Sequence, residues 1–220
     1  MKPRIIHILS SLIYITLFIT SCSDESGLRY PSVTTHMVVA DVDSDGNVNN
    51  ILVDNGNNFF VSKNNRGPFS AIKDTRVRAI AKYEPFYEQM EAIIYDIAPT
   101  QVVFPYGPHQ IGFYEQDPAE LVRIWKGGEF LNIELAIPAI NLAKHRLAFV
   151  DNSLDIYSNI VKLEFYHRNE EGPLAIMKNL IVSIPLSIYY DRFQGESFKL
   201  VFKLKTKDGF KDYEVNIGAL

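Results

Sequence analysis

From residue 34 onward the chain is written in short runs of Val, Ile, Phe and Tyr, cut every few residues by Gly, Asn, Asp or Pro. Such runs read as strands. The best helical window, 119–126, is about two turns long at 3.6 residues per turn, too short to hold a helix by itself. The chain is therefore expected to be all-β. In the first half the strand signals fall at 36–42, 48–53, 59–62, 76–83, 89–96 and 102–104, with turns at 44–47 and 54–58. That density suggests a small closed barrel. Gly107, Pro108, Gly112 and Pro118 then cluster where charge is sparse, so the junction between two domains is placed there, giving 34–112 and 113–220. The second half offers segments at 119–125, 130–137, 146–150, 161–167, 179–184, 198–205 and 213–217, the last two joined by Asp208-Gly209, a hairpin signal. Antiparallel strands joined by hairpins imply a sandwich.

The first residues carry a different message. Lys2 and Arg4 precede an apolar run from Ile5 to Ile19 and then Thr20-Ser21-Cys22, the layout of a secretory signal. The run is short of the roughly 20 residues that a membrane span needs. Ile19-Thr20-Ser21-Cys22 resembles the lipobox of bacterial lipoproteins, with small residues before the cut and a cysteine after it. Cys22 is the only cysteine in the chain, and an unpaired thiol outside the cytoplasm is a liability unless chemistry consumes it. Lipidation of Cys22 would consume it. One myristoyl chain binds membranes reversibly, at about 10⁴ M⁻¹, whereas several chains hold permanently. Residues 1–21 are thus a signal peptide, and 22–33 a flexible tether. Asp24 and Glu25 resemble the export signal that sends lipoproteins of Bacteroidota-type bacteria to the outer face of the outer membrane; they equally suit a solvated acidic tether. Cleavage before Cys22 leaves 199 residues and removes Lys2 and Arg4, so 20 basic side chains face 26 acidic ones, a net charge of −6. That balance argues against nucleic acid as a partner.

Catalytic signals are sparse. There is no G-x-S-x-G elbow, no P-loop and no cysteine nucleophile in the mature chain, and neither a cofactor nor a metal is expected. Asp41, Asp43, Asp45 and Gly46 match the start of a calcium loop, but its twelfth position is Leu52 rather than a carboxylate, so a hairpin turn is favoured. His36, His109, His145 and His167 lack the spacing of metal sites and read as surface or strand residues. Aromatic residues are plentiful: Tyr83, Phe86, Tyr87, Tyr106, Phe113 and Tyr114 bracket loops and the expected junction. Of these, Phe86, Tyr87, Tyr106 and Tyr114 are candidates for ligand contact, with packing between domains as the favoured alternative.

One segment is distinctive. Asp117-Pro118, followed by Trp125-Lys126-Gly127-Gly128-Glu129-Phe130-Leu131-Asn132, resembles the central motif of NigD-like proteins, an Asp-Pro and then W-x-G-G-x-[YF]-L-N. Upstream, the stretches 51–56 with Phe59, and 75–80, look like that family's strand-turn-strand and barrel-strand segments. Read locally, Gly127-Gly128 makes a turn, Phe130 and Ile133 start a strand, and Trp125 plugs a junction. The resemblance implies an N-terminal OB-like barrel followed by a C-terminal antiparallel β-sandwich, in a secreted lipoprotein. The family takes its name from a bacteriocin gene cluster, which suggests an immunity-like role.

The leading expectation is a non-enzymatic binding module of the cell envelope, held at the outer membrane by its lipid and displayed at the surface, with an envelope protein as partner. The alternative is capture of surface glycans by an aromatic face of the barrel; a hydrolase with a carboxylate pair comes third. Cys22→Ala is expected to leave the β domains folded and to abolish fatty-acid labelling. Persistent labelling of that variant would overturn the anchor.

Overall fold

Five strands from the first half of the chain close on themselves. In the computed structural model, which describes residues 30–153, 158–172 and 176–220, they are β1 (Thr34–Val42), β2 (Val48–Val53), β3 (Asn58–Asn64), β4 (Thr75–Phe86) and β5 (Glu91–Pro99). Their order around the barrel is β1-β2-β3-β5-β4. Period-2 alternation sends Val38, Ala40, Ile51, Ala79, Ala81, Tyr83, Ala92 and Ile94 inward. The alanines leave room for large rings in the interior, among them Phe59 and Tyr83, whose centroids lie 5.9 Å apart. Irregular register at Asp41/Val42, Val61/Lys63 and Lys82/Tyr83 supplies the local bends that closure requires. Burial pushes the Tyr83 phenol up to about 12, and its hydroxyl lies 3.1 Å from His36 Nδ1.

The remaining strands are β6 (Gln101–Val102), β7 (Glu120–Gly127), β8 (Phe130–Pro138), β9 (His145–Asp151), β10 (Ile160–Asn169), β11 (Met177–Pro185), β12 (Phe198–Thr206) and β13 (Gly209–Ile217). They form two four-stranded sheets, β13-β12-β10-β9 and β6-β11-β8-β7. Leu131, Ile133, Leu135, Ile137, Val182 and Ile184 from one sheet meet Phe149, Leu163, Phe165, Leu200, Phe202 and Leu204 from the other in one core. A barrel followed by a sandwich is the fold expected from the sequence. Residues 33–220 make one compact unit.

Three details differ from the sequence reading. The window 119–126 is largely strand: Val122, Ile124 and Trp125 favour the extended state, and β7 is fixed by antiparallel pairing with β8. Not every pairing is antiparallel, because β3 pairs parallel with β5, β6 with β11 and β10 with β12. A short helix, α1 (Ser187–Arg192), arises where no element was expected. Tyr189 and Tyr190 pack their rings 5.7 and 5.6 Å from Phe198, and this tertiary packing overrides weak local propensity.

The sheets change hands at Thr100, since Gln101 and Val102 already pair with Val182 and Ser183 of β11. The Gly/Pro-rich stretch in which the sequence put the junction instead runs across the sandwich. Ile111 is buried with Ala148 and Val150, with Phe113 and Tyr166 packed against them. Its far end lies beside β10, where the Asp117 N–H donates to the His167 carbonyl at 2.7 Å.

The β9/β10 pairing also joins two histidines that sequence spacing had kept apart. His145 Nδ1 lies 2.8 Å from His167 Nε2, and His145 Nε2 lies 3.1 Å from Glu171 Oε2. Both rings are buried, and His167 Nδ1 has no hydrogen-bond partner among the described residues. Glu171 in turn accepts the backbone N–H groups of Ile140 and Asn141. The chain of three thus ties the turn before β9 to the turn after β10.

Burial, and then the neighbouring His145, push His167 below its ordinary value, against an opposing pull from Asp117. The Ile140 N–H leads the bonds that lower Glu171. Both depressed groups favour the deprotonated form in the folded state, so their contribution is present above the unfolded values and is lost as pH falls. Folding stability is expected to be level above about pH 7 and to decline as pH drops through about 6.5, the ordinary histidine value. Denaturation midpoints of wild type and His167→Gln across that range check this; an identical decline in both would exclude His167 as its source.

Candidate functional site

On β4 the inward residues are Ala79, Ala81 and Tyr83, so Arg78 points out of the barrel; on β8 the sandwich core takes Leu131, Ile133 and Leu135, so Asn132 points out of the sandwich. Both outward residues are nonetheless buried, with Arg78 at 3% exposure and Asn132 at 0%. They bury each other. Arg78 Nη1 and Nη2 donate to the two carboxylate oxygens of Asp54 at 2.5 and 2.6 Å. Nη2 also reaches Asn132 Oδ1 at 3.1 Å, and Nε reaches Ser183 Oγ at 3.3 Å. Ser183 Oγ donates to Asn132 Oδ1 at 2.7 Å, Asn132 Nδ2 donates to Asp54 Oδ2 at 3.3 Å, and the Gly128 N–H donates to the Asp54 carbonyl at 3.1 Å. The guanidinium lies 4.4 Å over the ring of Phe130.

The Gly-Gly motif is the socket for this pair. A Cβ on Gly127 would stand 2.0 Å from Asp54 Oδ2 and 2.6 Å from Asn132 Nδ2, so only glycine admits the carboxylate there. Gly128 takes a positive φ of 56°. Trp125 is half-buried beneath the Arg123 guanidinium, 4.5 Å above its ring.

Two crevices flank the pair. One, of about 450 Å³, is lined by Val39, Leu52, Val102, Phe130 and Pro185, with Asp54 and Arg78 also in its wall. The other, of about 340 Å³, runs past His36, Met37, Ile80, Trp125 and Ile181. The chain leaving β6 then straps one sheet to the other: the Val103 N–H donates to the Ser183 carbonyl, and the Tyr106 N–H to the Phe149 carbonyl. Along this strap Val102, Phe104 and Tyr106 are exposed at 38%, 64% and 50%. Val102 lines the larger junction crevice, while Phe104 and Tyr106 line two more. One short segment thus contributes to the walls of three crevices.

The four aromatic residues singled out in the sequence do not gather. Phe86 pairs with Glu91 at the far end of β4, about 25 Å up the strand from Arg78 at 3.3 Å per residue. Tyr87 lies edge-on to Phe59 at 5.5 Å, and Tyr114 edge-on to Tyr166 at 6.3 Å. Only Tyr106 belongs to the strap. Tyr87, Tyr106 and Tyr114 are exposed, but Tyr106 and Tyr114 lie beside the sandwich strands β9 and β10 rather than on the barrel face that the glycan reading named. Cys22, Asp24 and Glu25 lie outside the described residues.

The candidate calcium loop is a turn between β1 and β2. Asp43 Oδ1 accepts the backbone N–H groups of Asp45 and Asn47 at 2.9 and 2.8 Å, and these bonds, Asn47 first, hold its carboxyl below the usual range. Gly46 is needed because a Cβ would meet the Phe69 carbonyl oxygen at 2.1 Å. Asp41 turns aside to Arg76 at 2.9 Å. Among the described residues no group of three His, Cys, Asp or Glu side chains is arranged to hold a metal ion.

A family model described as the NigD-like C-terminal beta sandwich domain matches residues 102–217. The chain is similar in structure to a NigD-like immunity protein from Bacteroides caccae, at 27% identity and a TM-score of 0.69, over 85% of this chain and 93% of that one. It shares its fold with a protein from Parabacteroides distasonis, provisionally named toxin-related, at 17% identity and a TM-score of 0.70, over 85% and 94% of the two chains. A third likeness of fold is to a Bacteroides fragilis protein, provisionally named a lipoprotein, at 13% identity and a TM-score of 0.61, over 86% and 99%. No curated protein matches the sequence.

Replacing Arg78 alone strands a largely buried carboxylate against Asn132 and Gly127. Arg78→Met is expected to cost about 3 kcal/mol, and Arg78→Met with Asp54→Leu to recover most of that loss. Urea denaturation of the wild type, both single variants and the double variant measures the coupling. Additive losses would mean that the two charges do not act as a pair.

Proposed function

The chain belongs to the NigD-like family, and from that premise we propose that it is a non-catalytic, lipid-anchored protein of the cell envelope that binds another protein in an immunity-like role. The observation that carries this reading is the strap: Val102, Phe104 and Tyr106 stand exposed in alternation on one segment that walls three crevices. Binding energy at protein interfaces concentrates in a few aromatic and apolar anchors set into or beside pockets. The strap offers two aromatic anchors on a backbone hydrogen-bonded to β11 and β9, so little ordering remains to oppose association.

An anchor at Cys22 complements such a face. It would confine the protein to a membrane surface, most simply the outer membrane, where the effective concentration toward a membrane-borne partner or incoming toxin is raised without any new contact. The folded unit supports the same reading through its polar side chains. Asp54, Asp43 and Glu171 are each occupied by guanidinium or backbone N–H donors, as structural carboxylates are, rather than held ready for proton transfer.

Affinity capture from native envelopes tests this. The wild-type protein is expected to retain a partner that Phe104→Ser with Tyr106→Ser loses by about tenfold or more, the scale of one interface hot spot. Deletion of the gene is expected to sensitise cells to a bacteriocin. Equal recovery by wild type and variant, or no partner together with no deletion phenotype, would defeat the proposal.

A further inference from the structure

We infer that the larger junction crevice, with the strap beside it, takes an extended cationic peptide segment of the partner, with large apolar side chains alternating with Lys or Arg. This rests on the protein-binding reading above and adds the chemistry of what is bound. The walls are apolar: Val39 and Leu52 from the barrel, Phe130 and Pro185 from the sandwich, Val102 from the strap. The strap exposes alternate residues, Val102, Phe104 and Tyr106, as a strand would. Exposed side chains at every second strap residue are spaced about 6.6 Å apart, the distance between same-face side chains of an extended peptide.

The charges give the sign. The two cations of the crevice are already paired, Arg78 with Asp54 and Arg76 with Asp41. Glu129, exposed at the sandwich side, has no ion-pair partner among the described residues. At the barrel end, the turn after β1 and the residue before β4 bring Asp43, Asp45 and Asp74 together. The Asp74 N–H donates to the Asp43 carbonyl at 3.0 Å, and Asp45 and Asp74 also lack an ion-pair partner among the described residues. Lys73 is the cation adjacent in sequence. The crevice wall thus carries one carboxylate, Glu129, without an ion-pair partner among the described residues, and the Asp43–Asp74 contact lies within two residues of Arg76, which lines the same wall, in a mature chain of net charge −6. An anionic ligand would meet repulsion from Glu129 and from the negative chain as a whole, whereas a basic one is steered in.

The test uses two synthetic ten-residue peptides, one alternating Leu and Trp with Lys, the other with Glu in place of every Lys, titrated against the mature lipidated protein in detergent. The Lys peptide is expected to bind at least about ten times more tightly than the Glu peptide, and to weaken steeply as salt rises from about 50 to 300 mM. Glu129→Lys and Phe104→Ser should each reduce its affinity by about fivefold or more. The same change of charge on the far face of the sandwich, Glu214→Lys, should leave it within about twofold. Equal binding of the two peptides, or equal effects of Glu129→Lys and Glu214→Lys, would overturn the inference. If envelope capture still yields a partner that depends on Phe104 and Tyr106, the partner's charge alone is wrong; if capture fails as well, the binding role falls with it.

Discussion

The Arg78–Asp54 pair is the interaction on which the arrangement depends. A guanidinium at 3% exposure is tolerable only when its donors are met, and here Nη1, Nη2 and Nε all reach oxygen acceptors. Those acceptors come from both halves of the fold: Asp54 from the barrel, Asn132 and Ser183 from the sandwich. Apolar residues of similar volume could stabilise such a contact as well or better. They would not fix its register. A bidentate pair closed by an asparagine and a serine admits one mutual placement, and that placement sets the crevices on either side of it.

The same pair explains the motif that made the sequence recognisable. Gly127 is glycine because the Asp54 carboxylate occupies the space of its Cβ, and Gly128 donates its N–H to the Asp54 backbone. Phe130 lies under the guanidinium, and Asn132 bridges cation and anion. Local reading found a turn followed by a strand, which is correct as far as it goes. It could not find Asp54, seventy-odd residues upstream in what looked like a polar hairpin turn. A charged residue on the outward face of a strand reads as solvated until a second sheet is known to cover it.

The limits of sequence reading elsewhere have the same physical origin. Alternation in β12 is perfect, and its inward residues are the buried ones; strand existence, barrel and sandwich were legible because period 2 is a local property. Parallel pairings, such as β10 with β12, were not, since nothing in either strand names its distant neighbour. His145 and His167 stand 22 residues apart and meet only through the register of β9 with β10. A hairpin drawn through 146–150 and 161–167 with register assigned would have brought them close. Helix α1 was missed because its aromatic residues suit a strand equally well, and Phe198 decides the matter.

The distribution of polar groups also separates scaffold from surface. Glu164 is held by Gln116, Asn152 and Lys203, Glu134 by Arg123 and Asn179, and Glu171 by a histidine and two backbone N–H groups. Each such network makes its part of the fold rigid. Among what these networks leave over are exposed apolar side chains. Phe104, the most exposed member of the strap, contributes nothing evident to the core, yet it stands on a segment held to β11 at one end and β9 at the other. A phenyl ring kept in water at 64% exposure loses burial energy that a sandwich of this size could recover by turning it inward. Rigid backbone beneath an unburied ring is what the proposed binding face requires, and Phe104 stands outside the junction that Arg78 and Asp54 hold closed.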